Sequence, residues 1–289
     1  MTSRSGESTA QILHRPGAAV PPAIRGPLSV PTLVVFVMLH LGVLWAPATF
    51  SWPALGLAAL LHYLLGGLGI CLGYHRLLTH RSFSTPRWLE YLLAIFGGLS
   101  LQGGPITWVA DHRIHHGHSD KPSDPHSPQE SFLWGHMLWM LFPQPMSLEE
   151  RGRYVPELWA NPFYRFLERW HLALQFLLAA FLWGVGGWPF VVYGVFVRLV
   201  VVYHCTWLIN SACHRWGYRS FPTSDDSRNL WWAALLTWGE GWHNNHHANP
   251  TSARHGLRWW EVDPTFLAIR LLEAVGLARD VERPADRVA

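Results

Sequence analysis

Charge is missing from two long stretches of this chain. A run of 50 residues from Gly26 to His75 contains no Asp, Glu, Lys or Arg, and a second run of 28 extends from Trp170 to Val197. A helix needs about 20 predominantly apolar residues to cross a bilayer. The first run therefore holds two spans joined by a turn, and the second opens another pair. The expected spans are Leu28–Trp45, Trp52–Leu72, His171–Trp183 and Trp188–Asn210, with the short uncharged turns Ala46–Ser51 and Gly184–Gly187 between partners. The pattern predicts an all-α, multi-pass membrane protein with four transmembrane helices in two hairpins.

Two shorter apolar stretches do not fit as spans. Trp88–Leu101 carries Glu90, and Leu267–Leu277 carries Arg270 and Glu273. Both read as helices lying in the membrane interface, which keeps all the polar connections on one side. The expected organisation is a flexible cytoplasmic tail over residues 1–26, a membrane domain over 27–278 and a C-terminal tail over 279–289.

Composition agrees with this division. Of 289 residues only 14% are charged, against about 25% in soluble domains. Disorder, collagen and coiled coil are excluded, and three Cys without regular spacing exclude a disulfide scaffold or a CxxC metal module. Cys71, Cys205 and Cys213 read as small apolar residues. All Lys and Arg except Arg198 lie outside the expected spans. By the positive-inside rule the termini and the polar segments face the cytoplasm. The net charge of +3 reflects that topology and attraction to anionic headgroups, and no nucleic-acid motif accompanies it. Arg198, inside the last span, is expected to face the protein interior and meet a polar partner, or to snorkel. The tail before Arg25 lacks a signal-peptide core, so no cleaved leader is expected.

The histidines carry the chemistry. Of 18 His, nine fall in four clusters beside or after the spans: His75 and His80; His112, His115 and His116; His214; and His243, His246 and His247. On a helix, positions i, i+3 and i+4 share a face, so each HxxHH box is expected to aim its three imidazoles at one centre. Asn210 and His214 share a face in the same way. His75 and His80 do not: five α-helical steps leave them about 140° apart. They meet only if the helix bends, or they serve different metals. Nine imidazoles exceed one ion's needs and suit two ions with four or five nitrogens each. Imidazole alone does not choose among Fe, Zn, Cu and Ni. His14, His40, His62, His118, His126, His136, His171, His204 and His255 read as packed or interfacial side chains.

The boxes in their contexts, GYHRLLTHRSF from Gly73, WVADHRIHH from Trp108, NSACH from Asn210 and GEGWHNNHH from Gly239, resemble those of the membrane-bound fatty acid desaturases, in the acyl-CoA and acyl-lipid delta-9 branch. The resemblance runs from the first span to Phe266. It implies a cytoplasmic helical cap holding two irons through His75, His80, His112, His115, His116, His214, His243, His246 and His247, with Asn210 holding a metal-bound water. The assignment of each His to an iron stays open. The implied reaction inserts a cis double bond into a saturated acyl chain, with O2 as co-substrate. The two electrons come from a separate donor such as cytochrome b5 or ferredoxin, since no such module fits in the chain. The resemblance also places Gln102, Trp108, Thr206 and Trp207 along a kinked acyl tunnel. Asp111 and Glu240, adjoining the boxes, are expected to orient imidazoles through their second ring nitrogen. A hydroxylase or ketolase on the same scaffold is the neighbouring alternative; a membrane haem or metal-transfer protein is the non-enzymatic one.

Overall fold

The computed structural model describes residues 25–284, so most of the expected N-terminal tail, with His14, lies outside the described residues. Helix α1, Val30–Val43, starts at a Ser29 cap with Pro31 in its first turn, a favoured helix start. Its 14 residues cover about 21 Å at 1.5 Å each. After a turn at Pro47–Thr49 and a Ser51 cap, α2 runs from Trp52 to Thr79. It goes seven residues past the expected end at Leu72 and carries His75 into the polar segment.

Helix α3, Arg87–Gly98, lies against α2. The contact is backbone on backbone: a Cβ at Gly69 would come within 2.5 Å of the Gly97 nitrogen. Helix α4, Pro105–His118, follows, then the short helices α5 (Phe132–His136), α6 (Leu148–Gly152) and α7 (Pro156–Ala160). Leu72, Tyr74, Ile106, Val109 and Leu167 form a core joining α2, α4 and the next helix.

That next element, α8, is Pro162–Val191. It begins nine residues before the expected span, because the Asn161 cap and Pro162 start a helix whose first turns are charged. Gly187 adopts φ 64° and ψ −156° inside it, a region open essentially only to glycine. The chain reverses there, at the expected turn, and α9 returns over residues 192–211. Arg198 demonstrates the reversal. Its guanidinium donates to Gln175 Oε1 at 3.0 Å, whereas 23 residues of continuous helix would hold them about 35 Å apart. Arg198 also donates to Leu99 O and Gly194 O. It therefore faces the interior and ties α9 to α8 and to the end of α3.

The outer faces of these helices are apolar. Val37, Met38, Leu41, Phe176, Leu177, Phe181 and Trp183 are all exposed. Two helical stretches, Trp52–Thr79 and Pro162–His214, are long and apolar enough to cross a membrane, with α1 a shorter apolar helix; the second stretch is the reversed pair α8–α9. The remaining helices are α10 (Trp231–Leu236), α11 (His243–Ala248) and α12 (Pro264–Ala274). The described residues contain isolated bridges and no strand. Residues 279–284 are not a free tail: Arg279 pairs with Ser84, and Glu282 N donates to Ser82 O.

Arg198→Leu removes the donor from three acceptors, two of them buried, and a buried acceptor left unpaired costs about 1–3 kcal/mol. The thermal midpoint of the detergent-solubilised protein should fall by roughly 5 °C or more. A midpoint within about 1 °C of the parent would contradict this role.

Candidate metal centre

The ends of four helices deliver the imidazoles: α2 supplies His75 and His80, α4 its HxxHH, α9 leads into His214, and α11 supplies the second HxxHH. The end of α2 is wound wider than an α-helix. His80 N–H donates to His75 O, five residues back, and Thr79 Oγ1 donates to Tyr74 O. Closing a turn over five residues brings i and i+5 onto nearly one face. This corrects the 140° separation expected from α-helical geometry: the two rings lie 4.8 Å apart and join the same group.

The nine box imidazoles sort into five and four. His75, His80, His112, His116 and His246 form one group, and His115, His214, His243 and His247 the other, with ligand atoms in each within 4.8 Å of one another. Each HxxHH box is therefore split between two centres, instead of serving one. The reason is angular: i and i+4 stay close in direction, while i+3 and i+4, adjacent in sequence, diverge by about 100°. His112 and His116 turn one way and His115 the other; on α11, His246 is the residue that turns away.

The nitrogens meet as metal ligands would. Nε2 of His246 lies 3.1 Å from that of His75 and 3.0 Å from that of His116, which is 3.1 Å from that of His112. In the other group the His214 and His243 Nε2 atoms are 2.9 Å apart. Two nitrogens bound at right angles to one ion at about 2.1 Å stand about 3.0 Å apart. Both ring nitrogens of His80 and Nε2 of His247 are buried without a hydrogen-bond partner. Burial also holds His112, His116, His243 and His246 well below the ordinary imidazole pKa, which leaves neutral rings with free lone pairs. Convergent lone pairs of this kind fit two cations.

Carboxylates fix the ring orientations. Nδ1 of His115, His214 and His247 donates to Asp124, Asp120 and Asp225 respectively, each at 2.9 Å, and so turns Nε2 inward. Burial alone would raise these carboxyls, but the imidazole contacts outweigh it and all three are held low. Glu240 Oε2 lies 2.7 Å from His75 Nδ1. Glu240 Oε1 takes two bonds from Arg76, which also pairs with Asp263. Asp111 behaves differently. Its ion-pair partner is Arg151 at 3.0 Å, because its side chain leaves α4 on the side of α6.

Sequence reasoning missed four participants. Asp120 and Asp124 follow the HRIHH box by four and eight residues, which was the available signal for them, whereas Asp225 sits in a loop remote from any box motif. The fourth, His255, was read as packing; its Nδ1 is 3.1 Å from Glu240 and its ring 4.4 Å from that of His246.

An apolar cavity, about 600 Å³ including its open mouth, descends from His75, His112 and His243 between α2 and α9 to His62 and Trp238. A second, more polar one is lined by Gln102, Asp111, His126 and Trp207. Trp108, Thr206 and Asn210 line both. Trp108 Nε1 donates to Gln102 Oε1 at 3.2 Å, and Gln102 Nε2 to Thr206 Oγ1 at 2.9 Å. Three of the four expected tunnel residues are thus one hydrogen-bonded chain between the cavities, and Trp207 packs beside Tyr203 and Phe36.

The neutral imidazoles make stability pH-dependent. Burial lowers His247 from its ordinary 6.5 to about 4 despite Asp225. Below 6.5 the unfolded chain takes up protons that the folded one refuses, so stability is present above that value and lost as pH falls toward 4. The metal-free protein should show a thermal midpoint lower by roughly 5 °C or more at about pH 5 than at about pH 7. An equal midpoint at both would contradict neutral burial.

Comparison with known proteins places this geometry. The family model for fatty acid desaturase matches residues 50–274. The sn-2 palmitoyl-lipid 9-desaturase of Nostoc sp. (strain 36) is 52% identical over 252 residues, 86% of this chain and 88% of that protein. The sn-1 stearoyl-lipid 9-desaturase of Anabaena variabilis is 53% identical over 249 residues, 86% of this chain and 91% of that protein. An acyl-CoA 5-desaturase of Anemone leveillei is 50% identical over 250 residues, covering 86% and 78%. With the two imidazole groups in hand, these similarities settle the family: this chain belongs to the fatty acid desaturases.

Proposed function

We propose that this protein is an oxygen-dependent acyl-lipid desaturase that forms a cis double bond at the delta-9 position, with two irons as cofactor. One observation carries the reading: two groups of converging imidazoles, largely withdrawn from water, meet at one end of an apolar cavity. His75, His80, His112, His116 and His246 would hold one iron. His115, His214, His243 and His247 would hold the other, with Asn210 holding a water. Iron there supplies what no side chain can, the O2-dependent removal of hydrogen from an unactivated methylene pair. Overall the acyl chain loses two hydrogens, and O2 with two electrons and two protons leaves as two waters. The electrons come from an external donor of the cytochrome b5 or ferredoxin type.

The chain's own residues select the carbon. The Trp108–Gln102–Thr206 hydrogen bonds fix the wall where the two cavities meet, so an acyl chain threaded past it is held bent at one place. Trp207, buried and packed by aromatics, closes the polar side of the bend. Cys71, Ile70, Val202 and Cys205 give the apolar limb no group to interrupt a hydrocarbon.

The membrane reading is four spans, α1, α2, α8 and α9, with both termini and the metal centre on the cytoplasmic side. The reversal at Gly187 supports it by making two crossings of one long stretch, and the exposed apolar faces support lipid as their neighbour. Relatives named for lipid-linked palmitoyl and stearoyl chains favour an acyl-lipid substrate over acyl-CoA.

Expression in a host lacking unsaturated fatty acids, followed by chromatography of its lipids, tests the activity. The parent should yield delta-9 monoenes and His116→Ala none. A product that retains oxygen would identify a hydroxylase or ketolase, and an unchanged lipid profile would contradict the proposal. Gln102→Leu, which cuts the chain between Trp108 and Thr206, should retain iron, lower turnover by roughly tenfold or more and spread the double-bond position. Unaltered turnover and position would exclude Gln102 from the bend.

A further inference from the structure

The two imidazole groups are backed by very different charge. In the four-imidazole group three of four rings rest on carboxylates: Asp124, which is buried, and Asp120 and Asp225, which are half-buried. Among the described residues no Lys or Arg pairs with any of the three; their other partners are main-chain donors such as those of Asp120, Asp226 and Ser227, with the His126 ring 3.5 Å from Asp124. Asp120 Oδ1 is buried with no partner at all. Three negative charges gathered behind one set of rings and largely withdrawn from water are costly until a cation arrives.

The five-imidazole group has one more nitrogen and far less charge. Only His75 has a carboxylate against it, and that carboxylate, Glu240, is bonded twice by the fully buried Arg76 and divided with His255. Nothing orients His80, whose two nitrogens lack partners, and Nδ1 of His246 is likewise unpaired. Arg113, buried against the carbonyls of Leu78 and Thr79 and paired with Glu157, adds no net negative charge beside His80.

We propose that the two positions bind metal unequally: the position formed by His115, His214, His243 and His247 fills first and holds tightly, and the five-imidazole position is the looser, exchangeable one. Each carboxylate behind a ligating imidazole is worth about 10- to 100-fold in affinity. Two more of them on the four-imidazole side, set against one extra unoriented nitrogen on the other, give a separation on the order of 10- to 100-fold. The inference rests on the dinuclear reading above and goes beyond it by ranking the positions. It also marks the five-imidazole position as the one an iron-poor protein lacks.

The test uses the full chain in detergent, stripped of metal and titrated with Co2+ while optical absorption and binding heat are followed. Two steps separated by at least about tenfold are expected. Asp225→Asn should weaken the tighter step and Glu240→Gln the looser one. Two equal steps, or Asp225→Asn weakening only the looser step, would overturn the ranking and leave the dinuclear reading intact; fewer than two ions bound by the parent would overturn both. An independent arm needs no variant: the parent loaded with one equivalent of iron-57 should give one dominant Mössbauer environment. An equal mixture of two environments would overturn the proposal.

Discussion

Everything in this fold answers to one electrostatic fact: nine imidazoles converge in two groups, the ligand nitrogens of each within 4.8 Å of one another, several of them at hydrogen-bond distance. Neutral rings in this arrangement repel unless cations lie between them. Protonation is opposed by burial, which keeps His112, His116, His243 and His246 uncharged. The carboxylates behind the rings complete the design. They choose the tautomer, point Nε2 inward and supply the negative charge that makes a metal ion the natural occupant.

The helices are shaped to serve that convergence. Because α2 changes its winding near its end, one helix can place two imidazoles in the same group while its glycine face lies against α3. The sharp reversal at Gly187 lets α9 run back beside α2, so the apolar cavity between them ends at the imidazoles. Arg198 holds that return in place by spending its charge on Gln175 and on main-chain carbonyls. It belongs to the scaffold; the metal and the acyl cavity do not use it. Reactivity and selectivity are thus supplied by different parts of the chain, the first by box residues and the second by the Trp108–Gln102–Thr206 wall.

Much of this was legible in the sequence, for physical reasons that differ by element. The charge-free runs exposed the apolar helices, and Pro47 and the glycines before Trp188 marked both turns, since chemistry of that kind is local. The start of α8 was hidden because its first turns carry Arg165, Glu168 and Arg169, and hydropathy is blind to a helix that begins outside lipid. All nine box histidines stood out by their clustering beside the spans. Their division was not, because an i, i+3, i+4 set looks one-sided until two centres lie side by side. Asp225 was invisible, and Asp120 and Asp124 were marked only by their nearness to HRIHH, because loop tertiary contacts, with no periodicity, bring all three to the imidazoles. His255 failed for the same reason, and Asp111, though next to His112 in sequence, was turned toward Arg151 by the packing of α6.

X-ray absorption at the iron edge of the purified, iron-loaded protein should show two irons per chain, each surrounded by nitrogen at about 2.1 Å with the outer-shell scattering of four to five imidazole rings. A first shell dominated by carboxylate oxygen or by sulfur, or a single iron per chain at full loading, would contradict it.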